Sequence, residues 1–124
     1  MRILIVDDDK ISCQLLEKVF KRQGLQAEWT TDSLVGYQMS FQYPYDLFIL
    51  DVCMPLLSGT EFAERLKKEH PNAKIVLISA FANEALQKTA RGLGIILLSK
   101  PFTPDRLLKI TTEVLGQHAC DAAQ

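Results

Sequence analysis

The stretch RILIVDDDK, residues 2–10, decides the fold, because its apolar run at residues 3–6 ends directly in three aspartates, residues 7–9. A second apolar run, residues 47–50, ends in the same way in Asp51. Short apolar runs of this kind are typical of buried strands in a parallel sheet. Ligands of open α/β sheets bind at the carboxyl ends of the strands, so we expect both acidic ends to face one crevice.

Acidic side chains crowded into one crevice favour a bound cation. Two carboxylates roughly 4 Å apart repel each other by about 4 kcal/mol at an effective dielectric near 20. A cation between them offsets that cost, and Mg²⁺ prefers carboxylate oxygens together with retained water. Asp7, Asp8 and Asp51 are therefore candidate ligands in a phosphate-handling site. The alternative is that residues 7–9 only cap the following helix, and Asp9 is the best candidate for that cap.

Length and composition describe one packed domain. The 124 residues and the 48% hydrophobic content suit a single core. The formal net charge is −1, without a basic stripe, so we expect no direct contact with nucleic acid. No apolar stretch approaches the roughly 20 residues of a membrane span, and the amino terminus lacks the layout of a signal peptide. Three scattered cysteines, Cys13, Cys53 and Cys120, fit reduced thiols, and we expect a cytoplasmic location.

Strand-like and helix-like patterns alternate five times along the chain, which predicts an α/β fold with a doubly wound parallel sheet. We expect one domain over residues 1–116 and a flexible tail over residues 117–124. The predicted strands are residues 2–6, 26–30, 47–50, 74–78 and 95–98. The predicted helices lie between residues 11 and 24 and at residues 33–41, 58–70, 83–91 and 104–115.

Local signals support individual helices. Ser58 with Glu61 forms a capping box, and Thr103 precedes Pro104 as the N-cap of the last helix. Gly24 is a stop signal for the first helix. Apolar residues at helical spacing predict the core face of that first helix: Ile11, Leu15, Leu16, Val19 and Phe20.

Asp51 is the candidate nucleophile. It is followed by Val52, Cys53, Met54 and Pro55, with Gly59 further on. An acid at a strand end can simply be a solvated loop residue or a helix cap. Pro55 and Gly59 favour a tight loop instead, which holds Asp51 at the end of its strand. A carboxylate fixed in this way can attack phosphorus and form an acyl phosphate.

Two further polar residues end predicted strands. Ser79 follows the fourth strand and is by itself a common loop hydroxyl. Lys100 follows the fifth strand, and lysine in isolation is most often a solvated surface residue. At the end of a buried strand, however, an ammonium group can neutralise carboxylates or bind a phosphoryl oxygen. Pro101 is a candidate for a cis peptide bond that aims Lys100 inward.

Together these residues form one layout that resembles the receiver domain of two-component response regulators, over about residues 2–115. The motifs that carry the resemblance are Val6-Asp7-Asp8, Asp51-Val52-Cys53-Met54-Pro55 with Gly59, Ser79-Ala80 and Lys100-Pro101-Phe102. The resemblance implies a flavodoxin-like (βα)5 sandwich with a five-stranded parallel sheet in the order 2-1-3-4-5.

The resemblance also implies roles for the site residues. Asp51 is expected to be the phosphoacceptor, in a domain that catalyses its own phosphorylation and dephosphorylation. Mg²⁺ is expected to bind the carboxylates of Asp8 and Asp51, the backbone carbonyl of Cys53 and, through water, Asp7. Lys100 and Ser79 are each expected to bind one phosphoryl oxygen, which suits a reaction that depends on charge neutralisation.

The expected partners follow from the same resemblance. The donor is expected to be a phosphohistidine on a sensor histidine kinase or a histidine phosphotransfer protein. His70 and His118 of this chain are expected to be solvated rather than to donate. A downstream effector protein or output domain would receive the signal through the fourth and fifth helices and the strand between them. We expect a monomer or a weak dimer.

Two positions bear on switching and on the lifetime of the acyl phosphate. Leu97 stands where receivers commonly carry a tyrosine or phenylalanine that swings inward, so we expect coupling through the loop after Ser79 instead. Phe81 lies near the mouth of the predicted site. Its ring either slows hydrolysis by excluding water or only packs on the loop.

The surface expected to meet the kinase is the start of the first helix, around Ile11, Gln14 and Leu15, with the loop at residues 101–102. Apolar residues there serve this role only if they point outward.

Three other functions fit parts of the pattern. A degenerate receiver would act only as a docking module, although all five site positions carry competent residue types. A flavodoxin-like electron carrier needs a phosphate cradle after the first strand, where this chain has acids. A small acid-phosphatase-like hydrolase is suggested by the Asp-x-Asp within residues 7–9, but Ile11 stands where such enzymes carry threonine or valine.

Overall fold

Five parallel strands and five helices alternate in the computed structural model of the chain, which describes the backbone of residues 1–123 and the side chains of residues 1–116. The strands are β1 (Arg2–Val6), β2 (Gln26–Thr30), β3 (Leu47–Asp51), β4 (Ile75–Ser79) and β5 (Ile96–Ser99). The helices are α1 (Lys10–Arg22), α2 (Ser33–Gln42), α3 (Gly59–Glu69), α4 (Glu84–Leu93) and α5 (Pro104–Ala123). The sheet order β2-β1-β3-β4-β5 confirms the predicted flavodoxin-like topology.

The apolar strand runs are buried because helices cover both faces of the sheet. Side chains alternate between the faces, so Ile3 and Ile5 join the core under α1 and α5, whereas Leu4 and Val6 join the core under α2, α3 and α4. All five residues of β3 and of β4 are buried, as expected for central strands. The two apolar cores therefore hold the carboxyl ends of β1, β3 and β4 in fixed positions.

Short polar side chains begin the helices. Asp9 caps α1 by accepting a hydrogen bond from the Ile11 N–H, which confirms its predicted capping role. Ser58 caps α3 through the Glu61 N–H, also as predicted. Asp32 and Asn83 cap α2 and α4 in the same way. These caps fix where each loop at the carboxyl edge of the sheet ends.

The core face of α1 differs from the prediction. Cys13, Leu16 and Phe20 are buried, whereas Ile11 and Leu15 are 67% and 58% exposed. The buried residues stand at i, i+3 and i+7, and this stripe is rotated away from Ile11 and Leu15. The predicted core face of α1 was therefore too wide. Two of its apolar side chains lie at the surface.

The end of the last helix also differs from the prediction. Helix α5 extends to Ala123 rather than ending near Leu115, because glycine inside a helix costs only about 1 kcal/mol relative to alanine and does not stop it at Gly116. The side chains from residue 117 onward, and residue 124 altogether, lie outside the described part of the chain. The predicted flexible tail, 117–124, and the predicted environment of His118 lie there too. Strands β4 and β5 are each shifted by one residue from their predicted bounds.

The strand register brings the candidate site residues to one edge. Val6 pairs with Leu50, and Asp51 pairs with Ile78. Ser79 pairs with Ser99, directly before Lys100. The residues that follow these positions therefore meet at the carboxyl edge of the sheet. Among the described residues, no helix is both long enough and apolar enough to cross a membrane.

Candidate functional site

Three aspartates converge at the carboxyl edge of β1 and β3. Asp7 is completely buried, Asp51 is 6% exposed and Asp8 is exposed. Each offers a carboxylate oxygen within 4.8 Å of those of the other two. The position follows from the two apolar strands, which end side by side. Two buried acids and one exposed acid thus form a cluster of carboxylate oxygens that opens to solvent on the side of Asp8.

Lys100 crosses the edge of the sheet to reach this cluster. Its Nζ donates a hydrogen bond to Asp7 Oδ2 at 3.0 Å and lies 3.7 Å from Asp51 Oδ2. Burial alone would lower the pKa of Lys100, but the hydrogen bond and charge of Asp7, with the charge of Asp51, raise it. The Lys100–Pro101 peptide bond is cis, as predicted. The ammonium group is therefore charged and holds two buried carboxylates together.

The carboxyl of Asp51 is electrostatically unsatisfied despite this lysine. Burial and, next, the charge of Asp7 raise its pKa to about 7, against the lowering effect of Lys100. One ammonium group does not compensate for two buried acids. A second cation in the cluster would favour the ionised form of Asp51.

The loop after β3 keeps Asp51 at the end of its strand. The Gly59 N–H donates to the Val52 carbonyl at 3.0 Å, and a Cβ at Gly59 would overlap the carbonyl oxygen of Asp51. The Cys53 N–H donates to Asp51 Oδ1 at 3.4 Å, while the Cys53 side chain is exposed. The tight loop that Pro55 and Gly59 predicted is therefore present. It requires close backbone approach at Gly59.

Ser79 lies at the same edge, but its hydroxyl is engaged in its own loop. The residue is 1% exposed, and its Oγ accepts a hydrogen bond from the Phe81 N–H at 3.0 Å. The ring of Phe81 is 76% exposed, so it does not pack on the loop. Leu97, at the position of the expected aromatic switch, is half-buried against the core under α2, α3 and α4.

Two buried residues support the site that sequence patterns did not identify. The Ser33 hydroxyl donates to the Pro55 carbonyl at 2.9 Å and ties α2 to the loop after β3. The Cys13 thiol donates to the Asp7 carbonyl at 3.3 Å, and burial raises its pKa to about 12. A serine at a helix start and a cysteine inside a helix carry no local signal for these long-range contacts.

The donor set suits a hard divalent cation. All three side chains that converge are carboxylates, which are the ligands that Mg²⁺ prefers and that softer metals do not. The pKa of Asp51 is raised first by burial and then by the charge of Asp7, so a cation bound there would favour its ionised form. The residues present therefore fit Mg²⁺. His70, in contrast, lies exposed at the far end of α3 and contributes nothing to the cluster.

Comparisons with known proteins agree with this fold. The family model described as response regulator receiver domain matches residues 3–112. The transcriptional regulatory protein YclJ of Bacillus subtilis is 30% identical over 119 residues, which cover 95% of this chain and 52% of YclJ. The chain thus spans about half the length of the curated relatives it matches.

Solved structures show the same architecture. A CheY-like response regulator receiver domain protein from Methanospirillum hungatei superposes with a TM-score of 0.92 at 25% identity, over 97% of both chains. The response regulator TrrA from Thermotoga maritima, solved in complex with Mg²⁺–BeF, has a TM-score of 0.83 at 29% identity. That match covers 92% of this chain and 98% of TrrA.

Proposed function

Since the chain belongs to the response regulator receiver domain family of two-component systems, we propose that it accepts a phosphoryl group on Asp51 from a phosphohistidine of a partner protein. The observation that carries this proposal is the contact of one lysine with two buried acids. Lys100 Nζ lies 3.0 Å from Asp7 and 3.7 Å from Asp51. A docking module without chemistry has no need for this costly cluster of buried charge.

The proposed reaction is an in-line displacement at phosphorus. A carboxylate oxygen of Asp51 forms the new O–P bond while the P–N bond to the donor imidazole breaks. The electron pair of the broken bond stays on the imidazole nitrogen, which takes up a proton from solvent. Catalysis of this step rests on positioning and on charge neutralisation at the phosphoryl oxygens. Because the loop before Gly59 fixes Asp51, the nucleophile is positioned before the donor arrives.

Two side chains are proposed to hold the phosphoryl oxygens. Lys100 Nζ lies 3.7 Å from Asp51 Oδ2 and is proposed to donate a charge-assisted hydrogen bond to one phosphoryl oxygen. Ser79 is proposed to bind another through its hydroxyl after releasing the Phe81 N–H. In this step only Ser79 needs a change of hydrogen-bonding partner.

The residues proposed to hold Mg²⁺ are Asp8 and Asp51 through carboxylates, Cys53 through its backbone carbonyl and Asp7 through water. The bound ion supplies positive charge that neutralises the phosphoryl oxygens and the crowded acids. Asp7 is buried and already accepts hydrogen bonds from Lys100 and from the Asp9 N–H. Those contacts orient it toward the cluster.

Signal transfer is proposed to run through the loop after β4. Ser79 and Phe81 are joined by one hydrogen bond, so a phosphoryl group that recruits the Ser79 hydroxyl releases the loop backbone. The change would reach a two-state surface formed by α4, β5 and α5. Leu97 has neither an aromatic ring nor a hydroxyl that could swing inward in response to phosphorylation. Repositioning of the loop and α4 is therefore the proposed output, read by an effector protein or an output domain.

The direct test is the intact mass of the protein after incubation with Mg²⁺ and acetyl phosphate. We expect a gain of one phosphoryl group that is lost when Mg²⁺ is chelated. The gain should disappear in Asp51→Asn and persist in the control variant Asp46→Asn, which changes an exposed acid outside the cluster. Unchanged mass in folded wild-type protein with Mg²⁺ would instead favour the docking module.

A further inference from the structure

A groove opens along the seam between α1 and α5, on the face of the sheet that only these two helices cover. Its volume is about 750 Å³, within the range of roughly 300–1,000 Å³ that is usual for small-molecule sites. It extends from Ser12 to Arg22 along α1, about 15 Å at roughly 1.5 Å per helical residue. The space is long enough for an elongated ligand.

The floor of the groove is apolar and deep. Leu107 of α5 and Ile78 of β4 line it although both are completely buried. Leu15, Val19 and Phe102 form its walls. Because the floor reaches side chains of the core layer, an occupant has to enter the seam rather than lie across it. Leu15 and Phe102 also belong to the surface expected to meet the kinase, but the depth of the floor between them favours a slender molecule over a flat protein surface.

The charged residues that line the groove all carry the same sign. They are Lys18 and Arg22 at one end and Lys100 at the other. Lys100 is already bonded to Asp7. Within residues 1–116, by contrast, no carboxylate lies within ion-pair distance of Lys18 or Arg22. The lower end of an apolar groove thus presents two cations to a ligand.

We propose that the α1–α5 groove is a binding site for a small amphipathic acid, with an elongated apolar body and one anionic head. The head lies between Lys18 and Arg22, and the body extends along Val19 and Phe102. Burial of the body supplies most of the affinity, and the charge of the head gives selectivity for acids over neutral molecules of the same shape.

The groove contains none of the three clustered aspartates but shares Lys100 with the site around Asp7 and Asp51. Ala80, the residue after Ser79, lines the upper end together with Lys100. An occupied groove therefore contacts the loop that is proposed to carry the signal. Binding itself does not require Asp51, so the inference stands or falls independently of the proposed phosphorylation.

The test uses two dyes that differ only in charge. Anilinonaphthalene sulfonate and phenylnaphthylamine share one ring system, and only the first carries a sulfonate. Titration of the folded protein, followed by dye fluorescence, is expected to show roughly tenfold tighter binding of the sulfonate, a difference that salt reduces. Amide chemical shifts are expected to change along residues 12–22 and at Ala80 and Phe102. The Asp51→Asn variant is expected to bind equally well.

Matched double variants separate the groove from general surface charge. Lys18→Gln with Arg22→Gln should abolish the preference for the sulfonate. Lys21→Gln with Lys109→Gln removes as much charge from α1 and α5 outside the groove and should preserve it. Equal binding of both dyes, or shifts confined to other surfaces, would refute the proposal. If neither dye binds, the proposal is also refuted. Amide shifts in the groove that only the phosphodonor protein causes would then assign the groove to protein docking.

Discussion

The two halves of the site differ in how far they are assembled. The acid–lysine half, formed by Asp7, Asp8, Asp51 and Lys100, is already in contact through a 3.0 Å hydrogen bond. The hydroxyl half, formed by Ser79 and the loop at residues 80–83, has its hydroxyl turned toward its own backbone. For the proposed reaction, the acids and the lysine are therefore already in place, whereas the hydroxyl proposed to bind the phosphoryl group has to move.

The difference has an electrostatic origin. In the first half Lys100 attracts both buried acids, Asp7 and Asp51, and losing this cation would leave their charges uncompensated. The second half is held by one neutral hydrogen bond, which contributes on the order of 1 kcal/mol. A phosphoryl group can therefore displace the second contact while the first stays in place.

The largest expected effect is on the stability of the acid–lysine half. Lys100→Met leaves the completely buried Asp7 carboxylate without its cation, so we expect the free energy of unfolding without Mg²⁺ to fall by about 3 kcal/mol. Denaturant unfolding measures this. Lys109→Met, on the exposed face of α5, is the control and should stay near wild type. Equal stability of both variants would show that the ammonium group does not hold the acids together.

A smaller and opposite effect is expected at Asp51. Between the ordinary carboxyl pKa of 3.8 and its raised pKa of about 7, the folded protein retains a proton that the unfolded chain has lost. Metal-free stability therefore falls as pH rises through this window.

The Asp51→Asn variant removes that ionisation. At pH above 7 we expect it to be more stable than metal-free wild type by about 2 kcal/mol, and the advantage should vanish toward pH 4. Denaturant unfolding at several pH values provides the comparison, and added Mg²⁺ should narrow the gap. Parallel pH curves for the two proteins would contradict the raised pKa.

Sequence patterns identified strand-end residues in both halves, but not the tertiary contacts that support them. Apolar runs that end in acids identify strands and the carboxylates that follow them, because both signals are local. The position of Lys100 also followed from its place after a strand. Gly36 gave no such signal, although a Cβ there would lie 2.8 Å from Val6 Cγ2. That contact, like the bond from Ser33 to the loop after β3, depends on tertiary packing and not on local pattern.

The exposed side of α1 shows the same limit. Leu15 fits the apolar periodicity of the helix, yet it lines the α1–α5 groove at the surface. Periodicity identifies which residues can share a face, but the position of α5 decides how much of that face is covered. Two helices cover this side of the sheet, and their spacing cannot be obtained from either helix alone.

In the hydroxyl half, Ser79→Ala is expected to preserve phosphorylation of Asp51 but weaken the conformational response that follows it. Loss of the bond to the Phe81 N–H should lower the free energy of unfolding by about 1 kcal/mol. Asp51 should still gain a phosphoryl group, but the amide chemical shifts of residues 80–98 should respond less than in wild type. Thr112→Ala removes an exposed α5 hydroxyl outside residues 80–98 and controls for loss of a hydroxyl. A full wild-type response in Ser79→Ala would exclude the hydroxyl from the signal.

The smallest effect is expected at Phe81. Its exposed ring follows Ser79 by two residues, and we expect it to shield the acyl phosphate from water. Phe81→Glu should therefore speed loss of the phosphoryl group roughly threefold, which lowers the barrier by less than about 1 kcal/mol. Phe41→Glu changes an exposed ring on α2 and should leave the rate unchanged. Decay of the phosphorylated mass with time gives both rates. Identical rates in the two variants would show that the Phe81 ring does not exclude water.

The central claim, that the carboxylate of Asp51 is the phosphoacceptor, is tested most directly by chemical trapping. Borohydride reduces an acyl phosphate to the alcohol, so a phosphorylated aspartate becomes homoserine that peptide mass analysis can locate. After incubation with Mg²⁺ and acetyl phosphate, we predict homoserine at position 51 and unmodified aspartate at positions 7, 8 and 9. Homoserine at any of those three positions, with position 51 unchanged, would contradict the assignment.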